Sequence, residues 1–351
     1  MKGVILAAGL GTRLRPLSLS RPKPLLPVAN KYMISYIIED MVKAGIKEIG
    51  LVISSQKEVM MEKIGLEHLG ANITYIFQPT LNGIGGAIKL CEKFAADEPF
   101  LVYLGDNFVQ SGVKDFVEKF KKENPDALLL LTKVPNPQAF GVAVFNQDGS
   151  LKAVEEKPRQ PKSDMAVTGI YLFNKKVFQA INNIQPSARG ELEIPDAITW
   201  MLNNGCRVIP GEIKGRWKDT GKPGDLLEAN QLILDRMELK VEGRIEGELQ
   251  GKVGIGKNTF VERGAKIVGP ALIGENCTIK SGTYIGPYSS IGNNVTLENA
   301  NIEFVIILSN TFINTKSRIV NSIIGENSRI TPKEKQESST LIVGDYSQIE
   351  L

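Results

Sequence analysis

Histidine is almost absent from this sequence: its 351 residues include a single one, His68. Hydrolysis by a Ser-His-Asp triad and metal sites built from several histidines are therefore disfavoured. Cysteine is scarce as well, and Cys91, Cys206 and Cys277 are widely spaced, with no Cys-x-x-Cys pair among them. This spacing supports neither a disulfide framework nor a zinc site, and it favours free thiols in a reducing cytoplasm.

Apolar runs long enough to span a bilayer are also missing. The amino-terminal stretch MKGVILAAG is too short for the apolar region of a signal peptide, and Arg13 and Arg15 follow it. The formal net charge of +3 is too small for the basic field of a general nucleic-acid binder, whereas a slight positive excess suits small anionic ligands. We therefore expect a cytoplasmic protein that binds neither nucleic acid nor a membrane.

The first two thirds of the chain alternate predicted strands with predicted helices. Apolar runs such as GVILAA, EIGLVIS and PFLVYLG read as buried strands, and MISYIIEDMVKAG reads as an amphipathic helix. This alternation predicts an α/β domain with a Rossmann-like, mostly parallel sheet flanked by helices. A final helix, DLLEANQLILDRM, ends it, and we expect this domain to cover residues 1–238.

The remaining residues, 239–351, follow a six-residue period. The aliphatic members of this series are Ile255, Val261, Ile267, Ile273, Ile279, Ile285, Ile291 and Leu297, and compact residues recur four positions after each of the first seven. Such hexapeptide spacing is typical of a left-handed parallel β-helix, in which one side chain per short strand points inward and stacked strands share a core. The period breaks near Ile302 and resumes in a shifted phase.

The first predicted strand runs into a glycine-rich loop. Gly9 and Gly11 lack the partners that a Walker A loop or a dinucleotide-binding turn requires. Glycines directly after a strand nevertheless let backbone N–H groups approach a phosphate. Arg13 and Lys23 add a guanidinium and an ammonium group to the same loop. The stretch therefore predicts a binding site for a phosphate-bearing ligand.

The full stretch LAAGLGTRLRPLSLSRPKPLLPV resembles the signature of the sugar-1-phosphate nucleotidyltransferases. Further motifs follow in the family's order: QPTLNGIGGA, LGDN, FGVAVF, EEKP, AVTGIYLF, RGELEIPDAI and WKDTGKPGDLLEAN. The resemblance covers most of residues 1–238 and is strongest to the long form of glucose-1-phosphate thymidylyltransferase, whose members carry a hexapeptide-repeat tail.

The resemblance implies that the oxygen of a sugar 1-phosphate attacks the α-phosphorus of a nucleoside triphosphate in line. No general base is needed, because the nucleophile is already an anion, and catalysis rests on positioning and charge neutralisation. The implied substrates are dTTP, or UTP, and glucose 1-phosphate, with Mg²⁺ as cofactor. Thymine and uracil differ by one methyl group, worth roughly 1 kcal/mol, so the choice of base stays open.

Site residues follow from the same resemblance. Nucleotide contacts are implied for Leu6, Ala8, Gly9, Gly11, Thr12, Arg13, Gln78, Gly83 and Asp106. Contacts to the sugar phosphate are implied for Asn107, Gly141, Glu156, Lys157, Val167, Thr168 and Gly169. Magnesium is expected on Asp106 and Asp219, and the catalytic set comprises Arg13, Lys23, Asp106, Lys157 and Asp219. The family often carries a polar side chain where this chain has Gly86, which leaves base selectivity open.

The tail raises an alternative, because some relatives combine nucleotidyl transfer with acyl transfer. Acyltransferases of this type use a histidine base, and residues 241–351 contain none. We therefore expect the tail to drive homo-oligomerisation through its faces or to support the catalytic domain. A non-catalytic regulatory relative is a third possibility, although a pseudoenzyme is expected to lose phosphate-binding lysines or metal carboxylates.

Overall fold

The computed structural model describes residues 1–54, 57–331 and 338–350. Packing divides the chain into two compact units: the first combines Met1–Leu10 with Ile34–Asp219, and the second combines Gly11–Met33 with Thr220–Leu351. The boundaries of these units lie elsewhere than at residue 238, because the units are defined by packing and not by sequence pattern. The division into domains 1–238 and 239–351 stays a prediction. Within the described ranges, no helix is both long and apolar enough to traverse a bilayer.

The α-helices include both segments singled out in the sequence. Their bounds in chain order are α1 (Leu17–Ser20), α2 (Met33–Lys43), α3 (Lys57–Ile64), α4 (Gly83–Lys89), α5 (Glu92–Ala95), α6 (Lys114–Glu123), α7 (Lys176–Asn183), α8 (Ile194–Asn203) and α9 (Pro223–Leu234). The predicted helix MISYIIEDMVKAG corresponds to α2, and DLLEANQLILDRM corresponds to α9. Gly45, with a φ of 81°, provides the left-handed conformation that ends α2.

Strands of the first 219 residues form one large sheet and two small pairs. Their bounds are β1 (Lys2–Leu6), β2 (Pro27–Val28), β3 (Lys31–Tyr32), β4 (Glu48–Ile53), β5 (Glu67–His68), β6 (Ala71–Phe77), β7 (Phe100–Leu104), β8 (Asn107–Val109), β9 (Ala127–Lys133), β10 (Gly141–Phe145), β11 (Leu151–Glu156), β12 (Met165–Phe173), β13 (Val208–Glu212) and β14 (Trp217–Asp219).

The large sheet has the strand order β11-β10-β12-β7-β1-β4-β6-β5, and β9 joins β12 to β13. Strands β7, β1, β4 and β6 are mutually parallel, so the Rossmann-like part of the prediction is confirmed. The sheet as a whole is mixed, and the prediction of a mostly parallel sheet is wrong. A tight turn between Asn146 and Ser150 reverses β10 into β11, and β12 runs antiparallel to β7, β9 and β10.

The core of the first unit explains why its strands read as continuous apolar runs. Val4, Val102 and Leu129 are fully buried in one cluster that also receives helices α7 and α8. Phe100 and Phe178 stack there with ring centroids 5.4 Å apart. Because both faces of the central strands are covered, alternation with polar residues is lost. The carboxyl ends of the parallel strands meet at one edge, where ligands of open α/β sheets bind.

The second unit contains the remaining strands. Their bounds are β15 (Arg244–Ile245), β16 (Glu248–Gln250), β17 (Val253–Ile255), β18 (Phe260–Val261), β19 (Lys266–Val268), β20 (Ala271–Ile273), β21 (Thr278–Ile279), β22 (Tyr284–Ile285), β23 (Ser289–Ile291), β24 (Thr296–Glu298), β25 (Asn301–Ile307), β26 (Phe312–Asn314), β27 (Arg318–Ile324), β28 (Arg329–Thr331), β29 (Ser338–Ser339), β30 (Ile342–Val343) and β31 (Gln348–Glu350). We call β15–β31 the C-terminal parallel-strand domain, because its named strands pair in parallel in two sheets.

The six-residue period of the sequence is the burial pattern of this domain. Phe260 pairs with Thr278 and Thr278 with Thr296, and each strand from β16 to β21 meets a strand eighteen residues further along. Every aliphatic residue of the series from Ile255 to Leu297 is at most 1% exposed. The prediction that this series points inward is confirmed. Burial of one aliphatic side chain is worth about 1.5–3 kcal/mol, so stacked rows give short strands a common core.

Candidate functional site

The carboxyl end of β1 is where the predicted nucleotide contacts begin. The N–H of Gly105 donates to the carbonyl oxygen of Leu6 over 2.9 Å, which ties β1 to the end of β7. The hydroxyl of Ser54 donates to the carbonyl oxygen of Ala8 over 2.5 Å. These bonds fix the backbone up to Ala8, and the exposed Gly9 follows directly.

The structure explains the two loop glycines differently. A Cβ at Gly9 would meet no atom within 4 Å, so protein packing does not require glycine there. Gly11 has a φ of 61°, in the left-handed region that favours glycine. A Cβ at Gly11 would also lie 3.1 Å from the Cβ of Lys23, so the two residues are close neighbours.

The predicted phosphate ligands Arg13 and Lys23 both belong to the second unit. Arg13 lies in the 3-10 turn Thr12–Leu14, and Lys23 begins the 3-10 turn Lys23–Leu25. The Arg13 guanidinium lies beside Gly221, where a Cβ would be 3.3 Å from Nη1. The structure therefore places both cations on ordered turns of the same unit, and their role in phosphate binding stays a prediction.

Asp106 and Asp219, the predicted metal ligands, lie on segments that pair with each other. Asn107 begins β8, Asp219 ends β14, and the two are partners in this antiparallel pair. The side-chain amide of Asn107 donates to Oδ1 of Asp106 over 2.8 Å. Asn107 is only 3% exposed, so it is held firmly in place. Asp106 precedes it in the chain, and Asp219 lies opposite it in the strand pair.

Trp217 is a residue of this site that the sequence reasoning missed. Its indole N–H donates to Oδ1 of Asn107 over 2.6 Å and to the carbonyl oxygen of Thr168 over 3.2 Å. Its ring makes an edge-to-face contact with Phe140, with centroids 5.3 Å apart. Gly169 has a φ of 75°, and a Cβ there would lie 2.5 Å from Cδ1 of Leu104 and 3.3 Å from Nδ2 of Asn107. One indole therefore joins three predicted sugar-phosphate segments, and its place two residues before Asp219 was the available signal.

Gly141, Glu156 and Lys157 meet where β10 pairs with β11. Gly141 is the register partner of Glu156, and the N–H of Lys157 donates to the carbonyl oxygen of Phe140 over 3.0 Å. Lys157 has a φ of 43°, a conformation that costs a non-glycine residue energy and tends to occur at functional sites. The side chain of Val167 is buried in the core of the first unit, so only its backbone can border a ligand.

A partly exposed network of ion pairs supports Glu156 and was also missed. Arg189 lies 2.8 Å from Glu193 and 3.4 Å from Glu156, bridging the two carboxylates. Its hydrogen bond to Glu193 is the main cause that raises the pKa of Arg189. The nearby carboxyl of Asp196 has a raised pKa, first through burial and then through the charges of Glu193 and Glu156. Arg189 offsets this crowding of negative charge, and its motif, RGELEIPDAI, was visible in the sequence.

Gln78, the predicted reader of the base, lies at the start of the segment that leads into α4. It is 4% exposed, and its Nε2 donates to Oδ1 of Asn82 over 3.3 Å. The Asn82 side chain occupies the space into which a Cβ of Gly86 would project. A polar amide therefore occupies the space that a side chain at position 86 would fill. Gly83 has a φ of 91°, and a Cβ there would lie 2.8 Å from a backbone oxygen.

In the part of the chain that the structure describes, no group of three His, Cys, Asp or Glu side chains is placed to hold a metal ion. Asp106 and Asp219 offer carboxylate oxygens, the ligand type that Mg²⁺ prefers, and this ion commonly completes its shell with phosphate oxygens and water. The pair fits a magnesium ion that arrives with a phosphate ligand and does not fit a site built from protein alone.

Comparison with known families assigns most of the chain to one family. Residues 2–236 match the family described as Nucleotidyl transferase. The chain belongs to that family. Residues 267–350 match a second family, described as the GMPPB C-terminal domain. The match to the nucleotidyl transferase family therefore covers the first unit from residue 2 onward, and the second match covers the C-terminal parallel-strand domain from residue 267 onward.

Several relatives of this nucleotidyl transferase have been named. The low-salt glycan biosynthesis nucleotidyltransferase Agl11 of Haloferax volcanii is 41% identical over 100% of both chains. A glucose-1-phosphate thymidylyltransferase of Streptomyces griseus is 37% identical over 100% of this chain and 99% of its own. The UTP–glucose-1-phosphate uridylyltransferase AglF of Haloferax volcanii is 35% identical over 66% of this chain and 96% of its own.

A solved structure extends the likeness to three dimensions. A protein of Bacillus anthracis described as a glucose-1-phosphate thymidylyltransferase, solved in complex with sucrose, is 38% identical. It matches with a TM-score of 0.64 over 68% of this chain and 98% of its own. The likeness therefore covers about the length of the nucleotidyl transferase match.

Proposed function

We propose that this protein transfers a thymidylyl group from dTTP to glucose 1-phosphate, giving dTDP-glucose and pyrophosphate. A phosphate oxygen of the sugar 1-phosphate forms a new bond to the α-phosphorus, and the bond from that phosphorus to the pyrophosphate leaving group breaks. The observation that carries the proposal is the pairing of β8 with β14, which brings Asp106, Asn107 and Asp219 together. The full-length relative from Streptomyces griseus supports the choice of substrates.

The chemistry of the site is consistent with transfer to an anionic nucleophile. The sugar phosphate needs no base to activate it, and the one histidine of the chain is not required. Lys157, held in a left-handed conformation at the end of β11, supplies positive charge for the sugar phosphate. Arg13 and Lys23 supply it for the triphosphate. Rate acceleration in such a site comes from orientation and charge neutralisation.

We further propose that Asp106 and Asp219 hold Mg²⁺ together with phosphate oxygens. When bound, the ion supplies a positive charge that neutralises phosphate oxygens and withdraws electron density from them. The chain's own contribution is the fixed position of Asn107, which orients the Asp106 carboxylate through its side-chain amide. Trp217 in turn orients Asn107.

Sugar and base are recognised by separate groups in this proposal. Glu156, oriented by Arg189, accepts hydrogen bonds from sugar hydroxyls. Gln78 reads the pyrimidine edge, because its amide can donate to the carbonyl oxygen O4 of the base and accept from the ring N3–H. A second candidate reaction is uridylyl transfer from UTP, which the relative AglF favours.

We infer that the C-terminal parallel-strand domain is a left-handed β-helix that does not transfer acyl groups. Its eighteen-residue register, with three strands per repeat, supports a coil of three six-residue sides. Residues 241–351 contain no histidine to deprotonate an acyl acceptor. Acetyl transfer from acetyl-CoA to an amino-sugar phosphate would contradict this part of the proposal.

The test is a pyrophosphate-release assay with purified full-length protein. It crosses dTTP, dUTP, UTP, GTP and ATP with the 1-phosphates of glucose, mannose and N-acetylglucosamine, with and without Mg²⁺. We expect dTTP with glucose 1-phosphate to give the highest kcat/KM and to require Mg²⁺. Comparing dTTP with dUTP isolates the methyl group, and comparing dUTP with UTP isolates the 2′-hydroxyl. A highest kcat/KM with UTP would replace the first candidate with the second.

A further inference from the structure

The loop that carries Arg13 and Lys23 belongs to the same compact unit as the C-terminal parallel-strand domain. Residues Gly11–Met33 form one compact unit with Thr220–Leu351. A phosphate-binding loop would therefore be supported by the C-terminal parallel-strand domain. The structure shows two anchor points where this support is made.

The first anchor is Arg21, two residues before Lys23. Its Nη2 lies 2.5 Å from a carboxylate oxygen of Glu326 and 2.7 Å from one of Asp345. The side chains of Arg21 and Asp345 are 12% and 5% exposed, so this ion pair is largely shielded from water. Asp345 also accepts hydrogen bonds from the hydroxyl of Ser20 over 2.5 Å and from the N–H of Glu326 over 2.7 Å.

The charges in this anchor are mutually stabilising. Burial alone would lower the pKa of the Arg21 guanidinium, but the hydrogen bonds and charges of Asp345 and Glu326 outweigh it and raise the pKa. Removing one member would leave a shielded charge without its partner, which is costly. The backbone of Gly344 also lies against Pro16, because a Cβ there would be 3.3 Å from the Pro16 Cβ.

The second anchor lies on the other side of Lys23. Asn230 of α9 is fully buried and accepts the backbone N–H of Ala29 over 2.9 Å. Its own side-chain amide donates to the carbonyl oxygen of Tyr288 over 3.0 Å. The neighbouring Asn30 donates to the carbonyl oxygen of Ile291 over 2.6 Å. The loop is thus tied to the same domain on both sides of Lys23, through Arg21 before it and through Asn30 after it.

We propose that the C-terminal parallel-strand domain preorganises residues 11–33, the loop that carries Arg13 and Lys23. Arg21 is the positioning residue that transmits this support to Lys23. The inference rests on the proposed function in so far as Lys23 binds the nucleotide phosphates. Ordering a backbone residue costs roughly 1–2 kcal/mol, and a loop that is already ordered does not add that cost to ligand binding. The domain therefore acts on nucleotide affinity without touching the nucleotide.

The test uses full-length variants Arg21→Gln, Arg21→Lys and Asp345→Asn. We expect Arg21→Gln and Asp345→Asn to raise the KM for the nucleoside triphosphate about tenfold or more, with the KM for the sugar 1-phosphate changed less than twofold. Arg21→Lys, which keeps the charge, should recover part of the loss. The double variant Arg21→Gln with Asp345→Asn should be no worse than the poorer single variant, because both remove one shared interaction.

The matched control is Arg244→Gln. Arg244 pairs with Glu246 in the same domain, but its side chain is 76% exposed, and its loss should leave both KM values unchanged. Equal rises of the two KM values in the Arg21 variants, or no rise, would overturn the proposal. Thermal unfolding checks that each variant is folded. If Arg21→Gln does not fold, the KM values of Arg21→Lys are compared with those of the parent protein instead.

Amide hydrogen exchange of residues 11–33 separates this inference from the proposed reaction. In Arg21→Gln, we expect exchange across this loop to be at least tenfold faster than in the parent protein, while the sheet of the first unit is unchanged. Unchanged exchange in the loop would overturn the inference, whatever the activity. If the parent protein is inactive in the pyrophosphate-release assay but the loop of Arg21→Gln exchanges faster as expected, the proposed function is overturned. The inference that Arg21 supports the loop is then retained.

Discussion

Asn107 and Asp219 are register partners across the antiparallel strands β8 and β14. The hydrogen bond from Trp217 to Asn107 ties the same two strands through their side chains. Segments more than a hundred residues apart in the chain are thereby fixed as one piece of structure. This piece carries both predicted magnesium ligands, and it is the part of the molecule on which activity should depend most steeply.

Replacing either aspartate by its amide should therefore nearly abolish transfer. Asp106→Asn and Asp219→Asn keep the size of the side chain and remove the charge that would bind Mg²⁺. We expect kcat/KM to fall about 100- to 1,000-fold, or roughly 3–4 kcal/mol, with a raised Mg²⁺ requirement. Asp115→Asn, on the exposed start of α6, is the matched control and should retain full activity. Near-normal turnover in both site variants would mean that the metal site is misplaced.

Trp217→Phe tests the donor function of the indole. Phenylalanine keeps an aromatic ring against Phe140 but removes the N–H that bonds to Asn107 and Thr168. A buried acceptor that loses its partner costs about 1–3 kcal/mol, so kcat/KM for the sugar 1-phosphate should fall about 5- to 150-fold. Steady-state kinetics measure this fall. Trp200→Phe, which alters a partly buried ring outside the site, should leave kinetics unchanged.

Gly9→Ala separates a ligand requirement from a folding requirement. A Cβ at this position meets no protein atom, so the melting temperature should stay within about 1 °C of the parent value. If the nucleotide lies against the backbone there, its KM should rise about tenfold or more. Gly224→Ala is the matched control for binding, because it too adds a Cβ in open space and should leave the nucleotide KM unchanged. An unchanged nucleotide KM in Gly9→Ala would remove Gly9 from the site.

Gly83→Ala, unlike Gly9→Ala, should lower the stability of the folded protein. Its φ of 91° and the backbone oxygen 2.8 Å from a Cβ make alanine strained and overpacked. We expect the free energy of unfolding to fall by about 1–3 kcal/mol, measured by urea denaturation. A loss of nucleotide affinity with full stability would instead assign Gly83 to base contact alone.

Local sequence patterns predict much of the fold. The inward series from Ile255 to Leu297 and helices α2 and α9 could be read from spacing alone, because burial repeats with the period of each element. The direction of β12 could not be read that way. Whether a strand runs parallel or antiparallel to its neighbours depends on partners distant in sequence, and β12 pairs with β7, β9 and β10.

The same limit applies to the site. The positions of Asp106 and Asp219 follow from motifs, and their nearness follows only from the β8–β14 register. The Asn82 side chain fills the space beside Gly86 four residues away, and a position-by-position comparison does not show such a contact. The Arg21 anchor joins residues more than three hundred positions apart, and no local pattern marks such a contact.

Cysteine reactivity reports on the packing of both units. Burial raises the pKa of Cys91 to about 12, and burial is also the main cause of raised pKa values at Cys206 and Cys277. Only Cys206 is partly exposed. At pH 8, iodoacetamide should therefore modify Cys206 slowly and spare the other two, as mass spectrometry of digested protein would show. All three should react in urea, and rapid labelling of native Cys277 would contradict the buried position of its side chain.

Stability should fall on the alkaline side for the same physical reason. The folded state holds the proton of Cys91 to about pH 12, whereas an unfolded thiol releases it near 9. Above about pH 9 the folded state thus binds more protons than the unfolded state, and this residue lowers the free energy of unfolding by up to about 1.4 kcal/mol per pH unit. Below pH 9 it has no effect. Urea denaturation between pH 8 and 10 measures the slope, and Cys91→Ala should make it shallower. An identical slope in that variant would show that the Cys91 thiol is already solvated in the folded protein.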